Sequence, residues 1–335
     1  MAFSYFPHTE DDVRQMLDRI GVGSLEDLYS DVPQDVICRE EYDLQDAMSE
    51  HEVRQYFEEL AEQNTSLFCL CGLGAYDHYS PAVIPHIISR SEFLTAYTPY
   101  QPEVSQGTLR YIFEYQSMIT ELTGMDCTNA SMYDGATAAA EAMMMAMAST
   151  KKKTRVLLSE GLLPHVVKVM KTYAKFNGVE LGFIPCQDGV TSYGAMLAEV
   201  AAGDVAGVLV PGINKYGIIE DLTGFADAVH AQKGLFMVYS DPSSLAVIKT
   251  PGEWGADVVV GTSQRFGVPM GYGGPHAAYM ATKEEYKRNI PGRIIGVTLD
   301  AQGNYAVRLA LQTREQHIKR EKASSNICTA KALNA

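Results

Sequence analysis

Apolar residues recur along this chain with two different periods, and the change between them falls near Gly124. Before that point the pattern is helical and rich in polar positions. Thr9-Glu10-Asp11-Asp12 and Ser49-Glu50-His51-Glu52 each set a hydroxyl three residues ahead of an acid, the signature of a helix start. The second leads into Val53, Tyr56, Phe57 and Leu60, spaced i, i+3, i+4 and i+7, which predicts an amphipathic helix. An N-terminal arm of this kind either wraps a partner subunit or packs on its own core. Residues 103–122 predict a long helix, with Val104, Leu109, Ile112, Phe113, Met118, Ile119 and Leu122 on a broad apolar face.

Beyond Gly124, strand-like runs alternate with helical ones. The predicted strands are 156–158, 179–184, 205–210, 235–239, 258–260 and 277–280; the predicted helices between them are 165–176, 196–202 and 221–232. Repeated βαβ units of this size imply a mostly parallel sheet with helices on both faces. No internal repeat, low-complexity linker or boundary interrupts the pattern before about residue 290. The expected division is an N-terminal helical segment over 1–100, an α/β large domain over 101–290, and the start of a further small domain over 291–335.

Composition narrows the function classes. The chain has 335 residues, 46% of them hydrophobic and 20% charged, which is ordinary for a globular protein. A net charge of -14 argues against general nucleic-acid binding, which depends on phosphate neutralisation by Lys and Arg. The N-terminus lacks a basic, apolar leader pattern, and no apolar run approaches the roughly 20 residues that span a bilayer, so a cytoplasmic location is expected. Cys38, Cys69, Cys71, Cys127, Cys186 and Cys328 form no metal-ligand pattern and read as buried free thiols, so no metal is expected.

Three segments carry candidate chemistry. In the first, Ala130 to Glu141, a turn with Gly135 opens a small-residue helix that includes Thr137; its free N–H groups suit a phosphate, although Asp134 at the mouth would repel one. The competing reading is close helix–sheet packing. The second is Asp241, a carboxylate at the end of an apolar strand, placed either to pair with a pyridinium nitrogen or to cap the turn beside Pro242. The third runs from Gly261 to His276, between two strand-like runs. In pyridoxal-phosphate enzymes of fold type I, this strand–turn–glycine-loop arrangement holds the Schiff-base lysine. Here Ser263-Gln264-Arg265 stands at that place, and no lysine lies between Lys249 and Lys283. A neutral amide cannot form an imine with an aldehyde, so no catalytic residue is assigned. The loop also lacks the GK[ST] and GxGxxG nucleotide patterns.

Tyr97-Thr98-Pro99-Tyr100-Gln101-Pro102-Glu103-Val104-Ser105-Gln106-Gly107, Ser263 to Pro269, Leu311 to Ile318 and Pro251 to Asp257 closely resemble the glycine decarboxylase family, the P-protein of the glycine cleavage system. The resemblance runs over essentially the whole chain and is narrowest to the first-subunit, or N-terminal-half, type. It implies an aspartate-aminotransferase-like large domain with an N-terminal helical arm, and a small C-terminal domain of which only the beginning is present. It also implies a homologous second subunit whose lysine binds pyridoxal phosphate covalently.

The family decarboxylates glycine and passes the aminomethyl group to the lipoyl arm of the H-protein. By resemblance this chain is the subunit without the lysine. Tyr97, Thr98, Tyr100 and Gln101 would border a shared cleft or pack the subunit interface, while Gly135, Thr137, Asp241, Ser263 and Gln264 are vestigial cofactor positions. The alternatives are an independent pyridoxal enzyme using Lys215 or Lys249, or a regulatory or structural pseudoenzyme that shares no active site.

Overall fold

The computed structural model describes residues 7–335 apart from 69, 71, 73, 96, 151, 272–275, 312–315, 324, 326 and 328–335, and apart from the side chains of 316, 317 and 322. Outside the described residues lie Cys69, Cys71, Cys328, residues 272–275 of the glycine-rich loop and residues 312–315. The chain divides into two compact units, Met1–Phe68 and Cys69–Ala335.

Both expected helix starts in the first unit are capping boxes. Helix α1 (Glu10–Ile20) begins where the Thr9 amide donates to Asp12 Oδ2 at 2.8 Å and the Asp12 amide donates back to Thr9 Oγ1 at 3.2 Å. Helix α2 (Glu50–Glu62) repeats the device with Ser49 and Glu52. Hydrogen bonds donated by the Thr9 and Ser49 hydroxyls, and then by their amides, hold the Asp12 and Glu52 carboxyls below their ordinary range. Neither helix buries a residue, and Val53, Tyr56, Phe57 and Leu60 are exposed. The four residues fall on one helix, as their spacing predicts.

The second unit opens with short helices α3 (Val83–Ile88) and α4 (Ser91–Leu94), then the long α5 (Gln106–Thr123). Next come β1 (Cys127–Thr128), α6 (Gly135–Thr150), β2 (Arg155–Ser159), α7 (Pro164–Asn177) and β3 (Glu180–Ile184). A small hairpin of β4 (Cys186–Gln187) and β5 (Val190–Thr191) precedes α8 (Tyr193–Val200), β6 (Val205–Pro211), α9 (Phe225–Ala231) and β7 (Leu235–Tyr239). Strands β8 (Val258–Thr262) and β9 (Ala278–Thr282) follow, then the hairpin of β10 (Ile294–Leu299) and β11 (Tyr305–Ala310), and α10 (Gln316–Lys319).

Seven strands form one sheet in the order β1-β9-β8-β7-β6-β2-β3. All neighbours from β3 to β8 are parallel, whereas β9 and β1 pair antiparallel at the edge. This is the expected α/β, pyridoxal-phosphate-transferase-like architecture.

Alternation along each strand divides the core between two faces. Met237, Tyr239, Val258 and Val260 pack with α6 and α7, while Phe236, Val238 and Val259 pack with α5, α8 and α9. Because both faces are covered, the strands read as continuous apolar runs in the sequence. Each fully buried aliphatic side chain there contributes about 1.5–3 kcal/mol.

Several boundaries differ from the periodicity for local reasons. Helix α9 is shorter than 221–232 because Asp221 Oδ1 accepts from both the amide and hydroxyl of Thr223, at 3.0 and 2.6 Å, and holds a turn there. Helix α8 starts earlier than residue 196, at Tyr193, where the Ser192 hydroxyl accepts from the Ala195 amide. In α5, Val104 lies before the helix and is exposed, as is Met118, whereas Tyr115 and Gln116 are buried. Gln116 is satisfied by the β10 backbone: its amide donates to Ile295 O at 3.1 Å and accepts from Ile295 N at 2.8 Å. Of the described cysteines, Cys38 is exposed and Cys127 and Cys186 are half-buried, so the expectation of buried thiols is corrected.

Candidate functional site

The parallel strands β6, β7 and β8 end together, and a cleft of about 510 Å³ opens at their carboxyl ends. This is where ligands bind in open α/β sheets. Tyr239, Asp241, Thr262 and Arg265 line it on one side, and the turn Asn214–Gly217 on another. That turn is held by Glu220, a buried carboxylate that accepts from Asn214 Nδ2 at 2.8 Å and from the Thr191 amide at 2.9 Å. Asn214 Oδ1 in turn accepts from the amides of Tyr216 and Ile218.

Gln264 lies in the single 3-10 turn that follows β8, and it is 1% exposed. Its side-chain amide donates to Tyr76 O at 3.2 Å and to Val268 O at 2.9 Å, and its carbonyl accepts from the Tyr76 amide at 3.5 Å. Both donor protons of the amide are thereby used. Beside it, Arg265 Nε sits 2.8 Å from Asp241 Oδ2, and the guanidinium lies 4.0 Å over the Tyr76 ring.

Asp241 is therefore committed twice. Its other oxygen accepts from the amide and hydroxyl of Ser243, at 3.0 and 2.6 Å, so the turn-capping reading holds geometrically together with the ion pair. Ser263 is buried, and the Tyr115 phenol, which is pushed up to about 12 by burial, faces its hydroxyl.

At the start of α6, Asp134 accepts from the Thr137 amide and hydroxyl, both at 2.8 Å. The carboxylate thus occupies one of the N–H groups that a phosphate would use. Gly135 is pressed against the sheet, and a Cβ there would run into the Tyr239 hydroxyl and come within 3.1 Å of the Thr262 amide. The contacts at this helix start are those of close packing.

The structure thus brings Gly135, Asp241 and Gln264 to neighbouring strand ends. Tyr97–Gln101 is anchored separately, at the foot of α5. There Thr98 and Pro99 are buried, Arg293 donates to the Tyr100 hydroxyl at 2.9 Å, and Tyr97 is 75% exposed. The side chain of Gln106 ties that foot to β11, donating to Val307 O and accepting from its amide.

One residue of the cleft, Tyr76, has no sequence signal beyond the glycine-rich run around it. Gly74 there has φ +101, and a Cβ would lie 2.5 Å from His165 Cε1. Of the two lysines named as alternative Schiff-base formers, Lys215 lines the cleft. Lys249 instead stacks over Trp254 at 3.6 Å. Among the described residues, no cluster of His, Cys, Asp and Glu is set to hold a metal ion. No helix among them is long and apolar enough to cross a membrane.

Pyridoxal phosphate in this fold type requires an amine at the strand-end turn, an uncommitted acid for the ring nitrogen and free donors for the phosphate. Here the first place holds a neutral amide, the acid is paired with Arg265, and the helix start is capped by Asp134. The residues present do not fit that group.

The fold and this site define a transferase-like α/β subunit without a Schiff-base amine. The chain belongs to the glycine cleavage system P-protein family, whose model matches residues 3–335. It is 50% identical over 338 residues to a probable glycine dehydrogenase (decarboxylating) subunit 1 of Anoxybacillus flavithermus, and 49% identical to that of Geobacillus kaustophilus. In both cases the match covers 100% of this chain and 75% of the relative. A crystal structure of an inhibitor-bound glycine decarboxylase P-protein superposes with a TM-score of 0.88 at 44% identity, over 100% of this chain and 75% of that one.

Proposed function

We propose that this chain is the subunit of glycine decarboxylase that lacks the lysine, acting in the glycine cleavage system together with a homologous subunit that binds pyridoxal phosphate covalently. The observation that carries the reading is Gln264, buried at the lysine place in a chain otherwise so similar to the first-subunit relatives. The cofactor, held by the partner, supplies the electron sink for loss of CO2 from glycine. The aminomethyl group then passes to the lipoyl arm of the H-protein.

In this reading the chain contributes structure and a rigid polar border to the partner's cleft. Tyr97 and Gln101 present exposed polar groups on a loop whose conformation is fixed by Pro99, Pro102 and the Arg293–Tyr100 bond. Preorganised groups of this kind orient a substrate carboxylate and exclude water.

Co-expression with the second subunit tests the proposal. A complex should form, and exchange of CO2 with the glycine carboxyl group should require both chains. Undiminished exchange by the partner alone would assign this chain to a regulatory role instead.

A further inference from the structure

We infer that the disused cofactor site of this chain works as a latch: Gln264 and Arg265 hold the segment Gly74–Ser80 against the ends of β7 and β8, so restoring the amine would not restore cofactor binding. The inference rests on geometry within this chain and stands apart from the decarboxylase assignment. Three kinds of contact converge on one residue. The Gln264 side chain meets both the carbonyl and the amide of Tyr76, a pairing that reads backbone rather than any particular side chain. The Arg265 guanidinium covers the Tyr76 ring while its Nε pairs with Asp241, the acid that would otherwise face a cofactor nitrogen. A second tie lies four residues on, where the Ser80 hydroxyl donates to Gly267 O at 3.2 Å.

The chemistry explains why glutamine suits this place. A primary amide offers two donors and an acceptor, and the turn needs donors for Tyr76 O and Val268 O and an acceptor for the Tyr76 amide. The Gln264 side chain, at 1% exposure, has no water to replace a lost partner. A leucine would leave all three backbone groups unpaired. A lysine could serve the two carbonyls but not the amide, and it would arrive in a pocket where Arg265 already neutralises Asp241. The segment held this way presents Tyr79 outward at 85% exposure.

Hydrogen exchange on the full chain tests the latch, with Gln264→Leu, Gln264→Lys and Arg265→Met compared with the parent. In Gln264→Leu, exchange over residues 74–80 should rise about tenfold or more while peptides from β7 and β8 stay protected. Arg265→Met, which changes a part-exposed side chain, should raise exchange in the same segment and serves if the leucine variant does not fold. Gln264→Lys should stay largely protected. With added pyridoxal phosphate and borohydride it should give no pyridoxyl adduct at position 264. Unchanged exchange over 74–80 in the folded leucine or methionine variant would overturn the latch, as would a stoichiometric adduct at position 264.

Discussion

Glu141 should make the stability of this protein fall as pH rises through neutrality, and replacing it with glutamine should remove that fall. The residue lies within α6, a helix of alanines and methionines packed on the sheet, and only 7% of it is exposed. Burial pushes its carboxyl from the ordinary 4.5 up to about 7, with a smaller opposing effect from a hydrogen bond to Ser325. The folded chain therefore keeps this proton over a range where the unfolded chain has released it. The stabilisation is fully present below pH 4.5 and is lost as pH rises through about 7.

At about 1.4 kcal/mol per decade of proton affinity, that rise corresponds to roughly 3 kcal/mol. Glu141→Gln keeps the size and a donor but cannot ionise. The two proteins should have similar stability near pH 5, with the variant ahead by up to about 3 kcal/mol at pH 8. Urea unfolding monitored by circular dichroism at pH 5, 6, 7 and 8 measures the difference, in which the other titrating groups cancel. Parallel pH profiles for the two proteins would refute the argument.

The remaining predictions concern single contacts. The Asp257 carboxylate, 2% exposed, binds Lys283 Nζ at 2.5 Å, His230 Nε2 at 2.7 Å and the Phe236 amide at 2.8 Å, stapling β7, β8, β9 and α9. Asp257→Asn should cost about 3–5 kcal/mol, read as a lower unfolding midpoint. Gly135→Ala should cost about 1–3 kcal/mol in the same assay, since its methyl meets the Tyr239 hydroxyl. Tyr97→Phe should lower turnover of the assembled complex without weakening assembly, as size-exclusion chromatography and CO2 exchange on the same sample would show. Loss of assembly with normal turnover per complex would place Tyr97 at the interface alone.

What could be read from sequence follows the physics of each element. The strands buried on both faces announced themselves as apolar runs, and the capping boxes were legible because Thr9/Asp12 and Ser49/Glu52 act within one helical turn. Strand β1 is only two residues long and leaves no pattern, and the β10–β11 hairpin is only partly buried on both strands. The place of Gln264 was visible because a missing amine is a property of the sequence itself. Its partner was not, since Tyr76 lies 188 residues away and meets it through backbone atoms that any residue would offer.

The division of labour between two subunits is tested most directly by borohydride reduction of the assembled complex with pyridoxal phosphate, followed by peptide mapping of both chains. The account predicts one pyridoxyl-lysine, on the partner, and none on this chain, including at Lys215 beside the cleft. A stoichiometric adduct on any lysine of this chain would contradict it.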